Sequence, residues 1–297
     1  AKTRSSESLE YGPSVREGQI REGERFGVGV REFYQGFEQG PIRPPSEAHS
    51  LLIRVSRNCP WNRCGFCPVY KNARFSIRPV EHVKQDIDAV RRCVDRLQVF
   101  VGSAGHLAPG SAREALAAAP DEDPRAWVAA VHWVQDGLRS VFLQDANALM
   151  TRTQDLIEIL CHLREAFPKI ERITTYARAH TAATRDVAEL KALRKAGLDR
   201  MHIGLESGSD AVLSMIQKGV DKARHIAAGL KIKEAGFELS EYVMPGLGGR
   251  PLSRDHAIET ADAISQIDPH FIRLRTLAIA PQTPLFEEWS AGRFDPC

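Results

Sequence analysis

The chain is poor in cysteine: six in 297 residues, and the three that fall together leave an odd thiol, which speaks against a disulfide framework. It has no run approaching the roughly 18 consecutive apolar residues of a membrane-spanning helix. No secretory signal opens it; AKTRSSESLEYG is polar and, lacking an initiator Met, reads as a trimmed start. A reducing cytoplasm is the expected compartment, with no membrane partner. Charge of one sign is scarce as well, since a formal net charge of +2 gives no global attraction to nucleic acid. One absence is local: residues 51–80 hold no Asp or Glu, yet Arg54, Arg57, Arg63, Lys71, Arg74 and Arg78 all fall there. The rest, 43% apolar and 26% charged, is ordinary globular composition and suits one large domain or two small ones.

Within the acid-free stretch stand Cys59, Cys64 and Cys67, in the run RNCPWNRCGFC directly after the strand-like Leu51-Leu52-Ile53-Arg54-Val55. Iron–sulfur clusters normally take four cysteines, and a structural zinc site also takes four ligands. Three thiols on one loop can hold three irons of a cubane cluster and leave the fourth open to a ligand. A Cys3His zinc site using His82 and a Cys64–Cys67 redox pair are the alternatives, although the pair leaves Cys59 unexplained. Cys93 and Cys161 lie in amphipathic helix patterns and read as small buried hydrophobes, while Cys297 has no partner in sequence. The six cations read as partial compensation for a negative cluster and as an attractor for anions; a solvated basic loop is the plainer alternative.

Residues 1–50 show no periodicity and carry seven basic and seven acidic residues up to Pro45, as an extension on the core or a partly disordered segment would. From Leu51 strand and helix patterns alternate. Expected strands are 51–55, 140–143, 172–176, 200–205, 237–243 and 270–275. Val83, Ile87, Val90, Val94 and Leu97 mark one stripe of a helix opened by Pro79. Leu156, Leu160, Leu163 and Phe167 mark a second, and Val187, Leu190 and Leu193 a third that ends at Gly197. Further helices run 221–235 and 254–267. Such repeated βα units predict an α/β fold with a parallel sheet. Residues 98–139 interrupt the spacing as an insertion, with a helix capped by Asp123-Pro124; packing is its simplest role, a lid or docking element the other. In parallel barrels the ligand site lies at the C-terminal strand ends, which here carry the cysteine loop, Asp145, Arg178, Glu206, a glycine-rich turn after Met244, and Thr276.

The triad ending CGFC, the stretch ELKALRKAGLDRMHIGLESGSDAVLSMIQKGV (189–220) and the late IRLRTLAIAPQTPLF resemble the radical S-adenosylmethionine (SAM) enzymes. Within that superfamily they are most similar to the group of oxygen-independent coproporphyrinogen dehydrogenases, methylthiotransferases and Elongator-type catalytic subunits. The resemblance covers residues 51–285 and implies a partial (β/α)6 TIM-type barrel domain over 51–297. It implies a [4Fe–4S] cluster on Cys59, Cys64 and Cys67, SAM bound at its open iron, and an electron donor such as flavodoxin or ferredoxin. It further implies that Asp145 accepts from the SAM ammonium, Arg178 pairs with its carboxylate, Glu206 binds the ribose hydroxyls and Phe66 packs near the adenine. Helix capping is the other role open to Asp145 and Glu206, a surface ion pair that of Arg178. Two departures stand out. The first cysteine gap has four residues where the family has three, and Gln144-Asp145-Ala146-Asn147 replaces its Gly-Gly-Glu-type motif.

No second cysteine cluster, cobalamin signature or RNA-binding appendage is visible, which favours a small-molecule or peptide substrate over transfer RNA. A non-enzymatic iron–sulfur or zinc protein is the competing class. Arg273 and Arg275 alternate onto one face of the last strand and are the candidate contacts to an anionic substrate.

Overall fold

The computed structural model describes residues 32–102, 107, 108 and 110–297. The chain divides into residues 1–33, nearly all outside the described residues, and a compact unit, Tyr34–Cys297. The expectations for residues 1–31, and part of the 98–139 insertion, fall outside the description.

Six parallel strands form one sheet in sequence order: β1 (Leu51–Arg54), β4 (Ser140–Gln144), β5 (Arg172–Ala177), β6 (Arg200–Glu206), β7 (Glu238–Val243) and β8 (Phe271–Leu274). β1 and β8 are its two edges, so the barrel is partial. A short antiparallel ribbon, β2 (Ser56–Arg57) with β3 (Ser76–Ile77), follows β1 and pinches the base of the cysteine loop. The helices are α1 (Val80–Gln98), α2 (Ser111–Ala117), α3 (Pro124–Gln135), α4 (Thr153–Ala166), α5 (Ala179–Thr184), α6 (Val187–Lys195), α7 (Asp210–Met215), α8 (Lys222–Glu234), α9 (Ser253–Ile267) and α10 (Pro284–Ser290).

Alternation along the strands sorts the side chains. Leu51, Ile53, Val141, Leu143, Ile173, Met201, Ile203 and Leu239 join the core beneath the helices. The intervening positions, among them Phe142, Tyr176, His202 and Tyr242, form a chain of aromatic contacts on the concave face. On α1 the whole predicted stripe, Val83 to Leu97, is fully buried. Each such side chain is worth about 1.5–3 kcal/mol over exposure. Helices stop where expected: Gly197 and Gly236 take positive φ just past α6 and α8, the conformation glycine adopts without penalty. In the insertion, Asp123 caps α3 by accepting from the N–H groups of Arg125 and Ala126. Trp127 and Trp133 of α3 are buried in the core, and Trp133 meets Phe167 edge-on.

One expectation fails: Cys161 is exposed on α4, not a buried hydrophobe. His82, the fourth ligand of the zinc alternative, is largely buried with its ring edge-on to Tyr34. α5 and the β2–β3 ribbon carry no readable period; elements this short are made by tertiary contact.

Candidate active site

Because the six strands are parallel, their C-terminal ends open on one side, and every one contributes to a cavity of about 260 Å³ there. Cys59, Cys64, Phe66 and Cys67 come from the loop after β1 and β2, Ala146 follows β4, and Arg178 follows β5. Glu206 ends β6, Met244 follows β7 and Arg275 follows β8; Tyr176, Lys218 and Tyr242 complete the wall. A wider hollow of about 550 Å³ lies at the N-terminal ends of β4 and β5, lined by His49, Asp136, Arg139 and Arg172, and has no cysteine. In a parallel barrel that is the wrong end for chemistry.

The cysteine loop is tied down along its length. Asn58 and Asn62 take positive φ, which asparagine tolerates, and so bend the chain on either side of Cys59. Lys71 Nζ donates to the Cys64 carbonyl at 2.9 Å and Asn62 Nδ2 donates to the Tyr70 carbonyl. Gly65 N–H donates to the Ile216 carbonyl at 2.7 Å, and Leu285 N–H donates to that of Gly65 at 3.0 Å. Trp61, in the widened cysteine gap, donates from Nε1 to the Gln217 carbonyl at 2.8 Å. Its ring lies on Gly219, where a Cβ would come within 2.3 Å. The guanidinium groups of Arg63 and Arg178 stack on the same indole, 5.1 and 5.0 Å from its centroid.

All three loop cysteines are free and half-buried. Burial pushes the Cys64 thiol up despite the nearby cations Lys218 and Arg178, and burial raises Cys67 against an N–H bond from Val69. Asn62 N–H lies 3.4 Å from Cys59 Sγ. Among the described residues no three His, Cys, Asp or Glu side chains gather closely enough to share one metal ion. His82, edge-on to Tyr34, does not line the cavity of the three thiols. The donor set, three thiols of one loop lining the cavity, suits an iron–sulfur cluster with one open iron.

Arg178 is no surface ion pair. It is half-buried, donates to the Lys218 carbonyl at 2.9 Å, and has no carboxylate partner among the described residues. Nor does Glu206 cap a helix, because Ser209 caps α7. A bulge shifts the β6–β7 register between Gly204 and Glu206, and Glu206 takes φ 62°, a conformation that costs about 1–3 kcal/mol. The bulge turns its carboxylate into the cavity, where Lys218 Nζ meets it at 3.1 Å. The rest of this motif is structural: Ser207 bonds His256 at 2.8 Å, Gly208 passes so close to α9 that a Cβ would meet Glu259 O at 2.1 Å, and Asp210 accepts from Lys222 N–H.

Asp145 stands apart from the cavity wall. Fully buried, it accepts from Arg54 Nε and Nη2 at 2.8 and 2.5 Å and from Asn58 N–H at 3.0 Å, which sets where the loop begins. The acid-free stretch is likewise less open than its composition suggests. Arg54, Arg57 and Arg78 converge on Glu38, and Arg78 also holds Asp86 at 2.6 Å. Three of the six cations are thus neutralised from elsewhere in the chain. Arg273 faces the concave side but is held by Ser240 at 2.9 Å, whereas Arg275 lines the cavity over the Tyr242 ring. Sequence reasoning missed Lys218; a lone lysine in a helix-ending run carries no local signal of burial.

This constellation of a thiol triad and charged strand ends on a six-stranded parallel sheet defines an α/β partial barrel with its candidate active site at the C-terminal strand ends. The model of the "Radical SAM superfamily" matches residues 53–264, well over half the chain, and the chain belongs to that superfamily. The non-enzymatic alternative falls with that membership. The tRNA uridine(34) acetyltransferases of Methanocaldococcus infernus and Methanocaldococcus jannaschii are 24% and 23% identical over 36% of this chain, which spans only 20% of their length. Among solved structures, the radical SAM methyltransferase TsrM from Kitasatospora setae superposes with a TM-score of 0.53 at 16% identity, over 83% of this chain and 40% of that one. Coproporphyrinogen III oxidase (HemN) from Escherichia coli gives 0.50 at 15%, over 82% and 51%. These likenesses show the fold. No helix among the described residues is long and apolar enough to cross a membrane.

Proposed function

We propose that Cys59, Cys64 and Cys67 hold a [4Fe–4S] cluster at which SAM is cleaved, and that the product radical acts on an anionic small molecule or peptide. One observation carries this reading: three thiols meet Arg178, Glu206 and Arg275 in one cavity to which all six strand ends contribute lining residues. Bound there, the cluster and SAM supply reductive cleavage of the sulfonium to a 5′-deoxyadenosyl radical able to abstract hydrogen. Each cysteine contributes one thiolate, and the missing fourth leaves room for the SAM amino and carboxylate groups. Arg178, half-buried and stacked on Trp61, offers a fork to the carboxylate. Glu206 accepts from the ribose hydroxyls, and Phe66 provides an apolar surface for the adenine. Asp145 acts one layer back, through Arg54 and Asn58. Arg275, with no carboxylate partner among the described residues, binds the substrate's carboxylate or phosphate, while Arg273 is committed to Ser240. A small acidic electron carrier such as flavodoxin or ferredoxin is the proposed reductant.

The names of the two Methanocaldococcus relatives favour a second reading, action on transfer RNA. The small net charge weighs against it. Anaerobic reconstitution followed by an assay for 5′-deoxyadenosine tests the first claim; an iron-loaded, SAM-binding protein that forms none refutes it. Deuterated candidate substrates, with transfer RNA in parallel, then identify what donates hydrogen. Arg275→Gln should leave substrate-independent cleavage intact and lower substrate-stimulated turnover; equal turnover in both proteins removes Arg275 from the site.

A further inference from the structure

Trp61 does not line the thiol cavity; it borders an outer hollow of about 580 Å³ together with Arg63 and Gly219. Arg178 does line the cavity, and its guanidinium lies 5.0 Å from the centroid of the Trp61 ring. Among the described residues that guanidinium makes one hydrogen bond, from Nη2 to the Lys218 carbonyl at 2.9 Å. A single bond fixes one nitrogen and leaves the plane free to turn about it. Two parallel bonds to a carboxylate need the plane itself held, and an aromatic ring holds a guanidinium in that way. One short turn anchors both partners. The Gln217 carbonyl accepts from Trp61 Nε1 at 2.8 Å, and the next carbonyl, that of Lys218, accepts from Arg178. Gly219 follows at φ 72°, and a Cβ there would strike the indole. Trp61 itself stands between Cys59 and Cys64, in the gap that is one residue wider than the family's. The stack therefore ties the cysteine loop to the residue that follows β5.

We propose that Trp61 is a positioning residue for SAM: its ring holds the plane of the Arg178 guanidinium, and it does not touch the ligand. The inference rests on the reading that Arg178 pairs with the SAM carboxylate. An unstacked arginine loses rotamer freedom when it takes up a ligand. Arg178, stacked beforehand, has already lost much of it, and affinity rises accordingly. The effect falls on the carboxylate end of SAM and leaves the nucleoside end to other residues.

Calorimetric binding of SAM to anaerobically reconstituted protein, matched for iron content, tests this. Trp61→Leu keeps an apolar side chain and removes the ring, and it should weaken SAM binding about two- to thirty-fold, the range of a lost cation–π contact. Decarboxylated SAM, which offers Arg178 nothing to hold, should bind Trp61→Leu and wild type alike. In an Arg178→Gln background Trp61→Leu should cost nothing further, because the ring then has no guanidinium to orient. Trp61→Phe keeps a ring but loses the bond to Gln217, and it should bind SAM within about threefold of wild type. If Trp61→Leu does not load iron, Trp61→Met, unbranched and ringless, takes its place. Unchanged affinity for SAM in the ringless variant overturns the proposal. So does an equal loss for the two ligands, a loss that adds in full to that of Arg178→Gln, or a Trp61→Phe as weak as the ringless variant. If Arg178→Gln binds SAM as wild type does, the functional reading of Arg178 is refuted, and the proposal falls with it.

Discussion

Replacing Glu38 with Gln removes the one carboxylate that three arginines share behind the cysteine loop. Glu38 meets Arg54 Nη1 at 2.7 Å, Arg57 Nη2 at 2.8 Å and, more loosely, Arg78 Nε at 3.4 Å. The side chains of Arg78, Arg54 and Arg57 are 1, 12 and 23% exposed, so solvent screens them poorly. Asp145 also holds Arg54 and Asp86 also holds Arg78, so Glu38→Gln withdraws one negative charge from the group without stripping those two of theirs. Breaking a buried pair costs about 3–5 kcal/mol, and since Arg54 and Arg78 keep a second carboxylate we take the low end, about 3 kcal/mol. For a domain of this size that lowers Tm by about 6–12 °C. Burial alone would raise the Glu38 carboxyl, but Arg57, Arg78 and Arg54 outweigh it and hold it below the usual range. A depressed carboxylate stabilises fully above its unfolded value of about 4.3 and loses that contribution as pH falls through the folded value. The gap between wild type and Glu38→Gln in calorimetric melts should therefore be constant from pH 8 to about pH 5 and close below it. A gap under 2 °C at pH 7, or one undiminished in acid, refutes the electrostatic account.

Cys59→Ala, Cys64→Ala or Cys67→Ala should each lower reconstituted iron from about four per chain to near none. Cys93→Ala and Cys161→Ala should leave it unchanged; colourless protein with one zinc per chain would reject the cluster. Arg178→Gln and Glu206→Gln should each weaken SAM binding about ten- to a hundred-fold, the loss of a charge-assisted hydrogen bond of about 1.5–3 kcal/mol. Because Ser209 caps α7, any fall in Tm of Glu206→Gln reports the lost Lys218 ion pair and not a lost cap, and unchanged SAM affinity would contradict its assignment. Gly219→Ala drives a methyl into the Trp61 ring at a position of φ +72°, so indole fluorescence should shift and iron retention should fall; an unaltered spectrum would refute the packing of that loop.

Strands and long helices were legible because their information is local: a period of two or 3.6 in apolar residues reports which face is buried, whatever packs on it. The stripe on α1, the Asp123 cap and the glycine stops at Gly197 and Gly236 all follow from that rule, as does the open cysteine triad, which needs only spacing. What a charged side chain does is settled by residues distant in sequence. Arg54, Arg57 and Arg78 belong to the same acid-free run as Arg63, yet Glu38, Asp86 and Asp145 draw those three inward and leave Arg63 on Trp61. Asp145 and Glu206 both follow strands; a bulge turns one into the cavity, and Arg54 with Asn58 holds the other behind it. Lys218 acquires its meaning only when the end of β6 and the turn before α8 are brought together. A carboxylate or guanidinium has no periodic signature, because its energy depends on solvent and on the nearest opposite charge, and both are fixed only when the chain is folded.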